Sequence, residues 1–282
     1  MLSPRTLLTL GRAGNLPTVW SNCLAGWWLG GGGRTDTLAP LLSGATLLYL
    51  GGASLNDAMD AAHDRQYRRT RPIPSNEISA KAAGLWGTAW MVLGVLILFK
   101  LGLTAGLLGL ALIVCLLAYN TLHRPVPLSP GLLGACRLLL YLVGASAAAG
   151  VSGWAVWCGL AMAAYISGVG CFRRWERSTW SLHYWPVTLL AAPVILALLM
   201  NGGSYRGDAM LLSLVLGLWT LRSIRHTFWG LERSQAKTVS GLQAGIVLVD
   251  LLAVADSPRP LGAVFLALFL LGLGLQRLLP ER

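Results

Sequence analysis

Residues 138–172 read LLLYLVGASAAAGVSGWAVWCGLAMAAYISGVGCF and contain no charged side chain in 35 positions. A bilayer core about 30 Å thick is crossed by roughly 20 helical residues, so this stretch is too long for one span. The glycines of the GVSG sequence at residues 150–153 offer a turn near its middle. The stretch therefore predicts a hairpin of two membrane-spanning helices.

The rest of the chain has the same character. Of its 282 residues, 55% are hydrophobic and only 12% are charged, with a mean hydropathy of +0.62. A soluble domain carries about 25% charged residues, so this composition argues against a soluble enzyme, a disordered tail and a disulfide scaffold. The apolar residues come in long blocks instead of alternating, which also argues against an outer-membrane barrel. We predict a single all-α, polytopic membrane domain over residues 1–282.

Ten predominantly apolar stretches have about the length of a membrane span. They cover residues 16–33, 38–63, 78–99, 103–122, 133–151, 154–172, 186–203, 208–224, 240–255 and 260–279. The prediction is accordingly a bundle of nine or ten transmembrane helices. The five cysteines lie within or at the ends of these stretches without metal-binding spacing, and we expect them to be small buried hydrophobic residues.

The net charge of +11 is explained by the topology. If the N-terminus is cytoplasmic, 18 of the 22 Lys and Arg residues fall on the cytoplasmic side, and the exceptions are Arg34, Lys100, Arg206 and Arg259. This positive-inside bias predicts both termini in the cytoplasm and an inner (cytoplasmic) membrane location, without a nucleic-acid partner. The apolar residues 7–10 are too few for a signal peptide, so we expect no cleavable one.

Acidic residues are concentrated in one place. Asp57, Asp60 and Asp64 fall within the sequence NDAMDAAHD at residues 56–64, although the chain has only 11 acidic residues. Spacings of three and four residues place them on one helical face, with Asn56 one turn before Asp60. Three carboxylates on one face repel each other, which predicts a compensating cation. Mg²⁺ suits such a site, because it takes one or two carboxylates together with phosphate oxygens.

A basic tract follows directly, with Arg65, Arg68, Arg69 and Arg71. Arginines donate charge-assisted hydrogen bonds to phosphate, so the two segments together indicate a metal-diphosphate site at the cytoplasmic end of the second span. The alternative is a helix end that emerges into water, with arginines that serve topology alone.

The next segment, TRPIPS at residues 70–75, predicts a stiff loop because its two prolines restrict φ, with Ser75 as a plausible start of the third helix. The pattern NDxxDxxxD followed by RPIPS resembles the UbiA superfamily of intramembrane prenyltransferases. Residues 15–26, NLPTVWSNCLAG, look like the opening of the first helix in that family. The resemblance extends to the length and helix layout of most of the chain.

The resemblance implies a prenyl diphosphate bound through Mg²⁺ between two aspartate-rich motifs, and an allylic carbocation captured by an aromatic or other lipophilic acceptor. Asp57, Asp60 and Asp64 would be the metal-binding and catalytic residues of the first motif. Tyr119, in the sequence YNTLHR at residues 119–124, would approach the reacting groups. The substrate-binding residues would be Asn22, Asn56, Arg65, Arg71, Arg124 and Arg137.

The second motif departs from the family pattern. Residues 165–178, YISGVGCFRRWERS, offer one carboxylate, Glu176, beside Arg173 and Arg174. Either Glu176 helps to hold a single Mg²⁺ while the arginines neutralise the diphosphate, or the protein binds a phosphorylated isoprenoid lipid without catalysis, as a transporter or binding protein. This divergent sixth helix resembles the EboC-type branch of UbiA-like proteins.

Two smaller features complete the prediction. Gly26 and Gly30 form a small-xxx-small pattern that indicates close helix packing. Asp250 lies inside the ninth predicted span, and we expect it to make a structural hydrogen bond, because its position in the outer half separates it from the cytoplasmic acidic cluster.

Overall fold

A computed structural model describes residues 4–123, 126, 129–172, 185–200, 205–229 and 234–278. These residues are almost entirely helical, and they contain no β-strand. The first seven helices are α1 (Pro4–Leu10), α2 (Leu16–Leu29), α3 (Leu38–Met59), α4 (Ala61–Tyr67), α5 (Ala80–Leu101), α6 (Leu103–Leu122) and α7 (Pro130–Ser146). They are followed by α8 (Gly153–Phe172), α9 (Trp185–Leu190), α10 (Ala192–Met200), α11 (Arg206–Phe228), α12 (Gln235–Ala244), α13 (Ile246–Ala253) and α14 (Arg259–Leu278).

The predicted helical membrane bundle is confirmed. Each of the ten predicted stretches contains helix, and seven helical segments among the described residues are long and apolar enough to cross a membrane. Three stretches are broken: the second divides into α3 and α4, the seventh into α9 and α10, and the ninth into α12 and α13. The hairpin of α7 and α8 is also present, and Gly150 in its turn has a φ of 145°, which glycine adopts readily.

The outer surface of the bundle is apolar. Large hydrophobic side chains such as Leu93 on α5, Leu214 on α11 and Leu270 on α14 are at least half exposed. Several carboxylates lie in the interior instead, among them Asp57, Asp64 and Asp250. A surface of this kind is stable in contact with lipid, because lipid tails are themselves apolar and exert no hydrophobic force that would bury these side chains.

Glycines let neighbouring helices approach closely. A Cβ atom on Gly51 of α3 would lie 2.6 Å from the carbonyl oxygen of Gly87 on α5, and one on Gly94 of α5 would lie 2.9 Å from that of Gly44. On α2, a Cβ on Gly30 would lie 2.5 Å from the Ala145 carbonyl oxygen of α7. Contacts as close as these leave no room for a side chain, so the packing predicted for the Gly26 and Gly30 pair is confirmed.

The acidic segment stays helical where α3 ends and α4 begins. The amide of Asp60 donates to the Asn56 carbonyl at 2.9 Å, and the amide of Asp64 donates to the Asp60 carbonyl at 2.9 Å. These i to i−4 bonds preserve the helical spacing, so the three aspartates remain on one side.

The third predicted span begins later than Ser75. Ser79 is the N-cap of α5, where its hydroxyl accepts a hydrogen bond from the Ala82 amide at 3.1 Å. Ser75 instead donates to the Pro72 carbonyl at 3.3 Å, within a folded loop. The prediction for Ser75 was wrong because the loop after the prolines makes its own turn before the helix starts.

Candidate active site

The acidic stripe is enclosed by protein. Asp57, Asp60 and Asp64 have exposed fractions of 5%, 7% and 1%. A helix end that simply emerged into water would leave its carboxylates solvated. The burial of all three carboxylates therefore argues against that alternative, and it requires positive or polar partners for them.

Arg12 is the first such partner. It lies after α1 with a φ of 49°, a left-handed conformation that is uncommon for a residue with a side chain. Its Nη2 atom donates to Asn56 Oδ1 and to Asp57 Oδ1, at 2.8 Å each. In the sequence, Arg12 is only one of the 18 positive charges predicted on the cytoplasmic side, and its place directly before the first span is the only signal of a role.

Arg71 is the second partner. Its Nη1 atom donates to Asp57 Oδ1 at 3.1 Å and to Asp64 Oδ2 at 2.7 Å, so one guanidinium nitrogen bridges two of the three aspartates. The loop that carries Arg71 is anchored by Ile73 and Ile78, which are buried against α1 and α5. The stiff loop predicted from the two prolines therefore places an arginine on the acidic stripe.

The end of α6 completes the cluster. Asn56 Nδ2 donates to Asn120 Oδ1 at 3.3 Å, and Asn120 Nδ2 donates to the Gly52 carbonyl at 3.2 Å. His123 Nε2 lies 3.3 Å from Asp60 Oδ2. The ring of Tyr119 lies 5.3 Å from that of His123, measured between centroids. Asn120 and His123 thus bring the YNTLHR sequence to the acidic stripe, and Tyr119 lies against the His123 ring. The approach of Tyr119 to the reacting groups stays a prediction.

One carboxylate oxygen in the cluster remains without a hydrogen-bond partner. Asp64 Oδ1 is fully buried and receives no donor from the residues that the structure describes. No three His, Cys, Asp and Glu side chains within this part of the chain are grouped closely enough to hold a metal ion by themselves. A Mg²⁺ ion held by one or two carboxylates and completed by phosphate oxygens fits both observations.

The basic tract divides between the cluster and solvent. Arg71 contacts the aspartates, whereas the residues Arg65, Arg68 and Arg69 are exposed. Partial burial of the guanidinium, followed by the nearby charge of Arg71, lowers the pKa of Arg68.

Asn22 and Arg137 form a different cluster. Arg137 Nη1 donates to Asn22 Oδ1 at 2.6 Å, and Asn22 Nδ2 donates to both carboxylate oxygens of Asp250, at 2.9 and 2.8 Å. Within the described part of the chain, their hydrogen bonds go to Asp250, Thr18 and each other and not to the acidic stripe. Asp250 makes the structural hydrogen bonds expected of it, and Asn22 is its partner.

Four predicted site residues, Arg124, Arg173, Arg174 and Glu176, lie outside the described residues. The metal-binding role of Glu176 and the substrate contacts of the three arginines stay predictions.

The fold and the buried polar cluster at one end of it define a multi-pass helical membrane protein with a site for charged groups. The profile of the UbiA prenyltransferase family matches residues 16–238, and the chain belongs to this family.

Two relatives with assigned activities match parts of the chain. Digeranylgeranylglyceryl phosphate synthase from Methanothrix thermoacetophila is 35% identical over 94 residues, which are 33% of this chain and 35% of that protein. Protoheme IX farnesyltransferase from Rippkaea orientalis is 31% identical over 149 residues, which are 50% of this chain and 46% of that protein. Each match therefore spans less than half of the relative's length.

Solved structures share the fold over nearly the whole chain. A structure of digeranylgeranylglyceryl phosphate synthase superposes with a TM-score of 0.65 and 16% identity, and the match covers 97% of this chain and 100% of that one. A UbiA homologue from Archaeoglobus fulgidus, bound to GPP and Mg²⁺, superposes with a TM-score of 0.64 and 14% identity, covering 96% and 99% of the two chains. At these identities the similarity establishes the fold alone.

Proposed function

We propose that this protein is a prenyltransferase that moves a prenyl chain from an allylic prenyl diphosphate to an aromatic or other lipophilic acceptor within the membrane. The observation that carries the proposal is the buried stripe of Asp57, Asp60 and Asp64. Arg12 pairs with Asp57, Arg71 bridges Asp57 and Asp64, and one Asp64 oxygen has no partner among the described residues. Relatives named for prenyl transfer, and a homologue bound to GPP and Mg²⁺, support the same reaction class.

In the proposed reaction, the bond between the allylic C1 atom and the diphosphate oxygen breaks, and the diphosphate leaves with the electron pair. A nucleophilic atom of the acceptor then bonds to C1, and the acceptor loses a proton. Arg12 and Arg71 are positioned to donate hydrogen bonds to the leaving oxygens, where negative charge develops. Asp64 and Asp60 would hold Mg²⁺, which when bound neutralises phosphate charge.

Further contacts belong to the same proposal. Tyr119 would approach the reacting groups, and Asn56 would support the metal ligands. Arg65, Arg124, Arg173 and Arg174 would bind phosphate oxygens, and Glu176 would be an additional metal ligand. The distribution of Lys and Arg along the chain supports a site at the cytoplasmic face of the inner membrane.

A second candidate function is binding or transport of a phosphorylated isoprenoid lipid without ionisation. It is favoured by the contacts of Asp57 and Asp64, which already have arginine partners and so do not need a metal ion for charge balance. A binding protein would hold the diphosphate on the arginines and leave the C1–O bond intact.

Release of diphosphate distinguishes the two candidates. The purified protein in lipid nanodiscs is incubated with radiolabelled geranyl diphosphate, Mg²⁺ and a panel of phenolic acceptors, and the released diphosphate is measured. We expect release by the wild type, and a loss of about 100-fold or more in Asp64→Asn, since the carboxylate that would hold Mg²⁺ loses its charge. The matched control is Asp36→Asn, because Asp36 has a side chain that is 72% exposed. Tight binding of geranyl diphosphate without release would instead establish the second candidate.

A further inference from the structure

A cavity of about 340 Å³ lies where the first turns of α8 meet the last turns of α2, α10 and α13. Its volume is within the range of small-molecule sites, which begins at about 300 Å³. The start of α2 lies near the aspartate stripe, because Arg12, shortly before it, contacts Asp57. Trp28 lines the cavity and is about 18 Å further along the helix than Leu16. The cavity is therefore at the opposite end of the bundle from the aspartates.

The cavity has an apolar floor and an amphipathic rim. On the floor, Cys158 of α8, Ala197 of α10 and Leu252 of α13 have exposed fractions of only 6%, 7% and 2%. On the rim, Trp154 and Tyr205 are 46% and 48% exposed. Trp and Tyr side chains in such positions combine an apolar ring with a polar N–H or O–H group. This gradient from floor to rim fits a ligand that has a hydrocarbon chain and a polar head.

Asp256 is the only charged side chain among the described residues that line the cavity. It follows α13, it is exposed, and its Oδ1 atom accepts a hydrogen bond from Trp28 Nε1 at 3.3 Å. Within the described part of the chain, it forms no ion pair with a Lys, Arg or His side chain. Arg206 and Arg259 are close to the rim residues in sequence, but neither lines the cavity. The rim therefore carries one negative charge without a basic partner.

Three aromatic side chains share the cavity with this carboxylate, namely Trp28, Trp154 and Tyr205. The face of an aromatic ring is partially negative and attracts ammonium groups, most strongly in the case of Trp. Aromatic rings beside a single carboxylate therefore favour a cationic head. An anionic head would be repelled by Asp256 and would find no basic side chain among the lining residues.

We propose that this cavity binds a membrane lipid whose head carries an ammonium group. The ammonium group lies between Asp256 and the aromatic rings, and part of the hydrocarbon chain lies over the apolar floor. A lipid is the fitting source of such a ligand, because Trp and Tyr at the ends of membrane-spanning helices mark the level of the lipid headgroups. The inference is independent of the proposed prenyl transfer, since no residue of the aspartate stripe lines the cavity.

Two lysolipids that differ only in the headgroup test the proposal. The full chain in dodecyl maltoside is titrated with oleoyl lysophosphatidylethanolamine or oleoyl lysophosphatidylglycerol, and native mass spectrometry measures the bound lipid. We expect the ethanolamine lipid to bind about fivefold more tightly, because its ammonium group gains an ion pair and cation–π contacts. The net charge of +11 on the chain would by itself favour the anionic glycerol lipid, so nonspecific attraction predicts the opposite order.

Variants of the rim assign the preference to this cavity. Asp256→Asn should abolish the preference for the ethanolamine lipid, whereas Asp36→Asn should retain it. Asp36 is the matched control, because it follows α2 at the same end of the bundle and its side chain is 72% exposed. Trp154→Leu should reduce the preference about threefold, since it removes an aromatic face and keeps an apolar side chain.

A headgroup without a chain separates a lipid from a soluble amine. Phosphoethanolamine at the same concentration as the ethanolamine lipid should not displace it, because it cannot occupy the apolar floor. Displacement would assign the site to a soluble amine and overturn the proposal. Equal or tighter binding of the glycerol lipid by the wild type would do the same, as would a preference that persists in Asp256→Asn. The wild-type comparison requires no variant to fold, and diphosphate release, measured separately, bears only on prenyl transfer.

Discussion

Arg12 and Asp57 are 45 positions apart in the chain, and their side chains meet at 2.8 Å. The contact joins the segment after α1 to the end of α3, and it relieves part of the repulsion within the aspartate stripe. Arg71 also reduces the repulsion; unlike Arg12, it follows Asp57 in the chain, by 14 positions. The stripe is thus held together by arginines. If the proposed function holds, the same side chains would also bind the diphosphate.

Replacing Arg12 by glutamine should lower the affinity for geranyl diphosphate about tenfold. A hydrogen bond to a charged group contributes about 1.5–3 kcal/mol when it is shielded from water, and we take the lower part of this range because Arg12 retains some exposure. Equilibrium binding of labelled geranyl diphosphate checks the effect, with Arg34→Gln as the control. Unchanged affinity would show that Arg12 only supports the fold.

Replacing Arg71 by glutamine should destabilise the protein by about 3 kcal/mol, because two buried carboxylates lose their shared cation. Added Mg²⁺ should then raise the unfolding temperature of this variant more than that of the wild type. The reason is that the charges of Asp57 and Asp64, which have lost their arginine partner, attract the ion. Thermal unfolding in nanodiscs, with and without about 10 mM Mg²⁺, measures both effects. An equal response of variant and wild type would argue against metal binding at these carboxylates.

Gly51→Ala should destabilise the α3–α5 contact by about 1–3 kcal/mol, because the new methyl group would lie 2.6 Å from the Gly87 carbonyl oxygen and backbone cannot move aside easily. Gly84→Ala is the matched control on α5, since its nearest neighbour, Ala58 Cβ, would be 4.0 Å away. The control should be neutral, or stabilising by up to about 1 kcal/mol through helix propensity. The comparison uses unfolding temperatures, and similar values for the two variants would contradict the close packing.

Membrane orientation can be tested with single exposed cysteines. A membrane-impermeant maleimide should label Thr35→Cys in intact spheroplasts, and it should label Gln66→Cys only after the membrane is disrupted. The reason is that Gln66 belongs to the basic segment after the second span, whereas Thr35 follows the first span. The unmodified chain, whose five cysteines are buried or half-buried, provides the background. If Gln66→Cys is labelled in intact spheroplasts and Thr35→Cys only after disruption, the predicted topology is wrong and the chain has the opposite orientation.

Local patterns predicted the elements and part of the site. The uncharged run at residues 138–172 predicted the hairpin of α7 and α8, and the three- and four-residue spacing of Asp57, Asp60 and Asp64 predicted their common face. The contacts of Asn120 and Arg12 with the acidic stripe could not be predicted. A polar residue that pairs with another helix has the same neighbours in sequence as one that only anchors a helix end. The start of α5 was also misplaced, by four residues, since Ser75 and Ser79 are equally good caps by type.

The sequence by itself determined the membrane bundle, the positions of its spans and the acidic stripe, because hydrophobic length and helical periodicity are properties of neighbouring residues. Only the tertiary structure decided that Arg12 contacts Asp57 and that Asn22 lies between Arg137 and Asp250. Arg137 is 115 positions from Asn22 in the chain, and Asp250 is 228 positions from it. Such contacts depend on how the helices are rotated and how closely they cross. That geometry follows from glycine contacts such as Gly51 with Gly87, which no single segment of the chain contains.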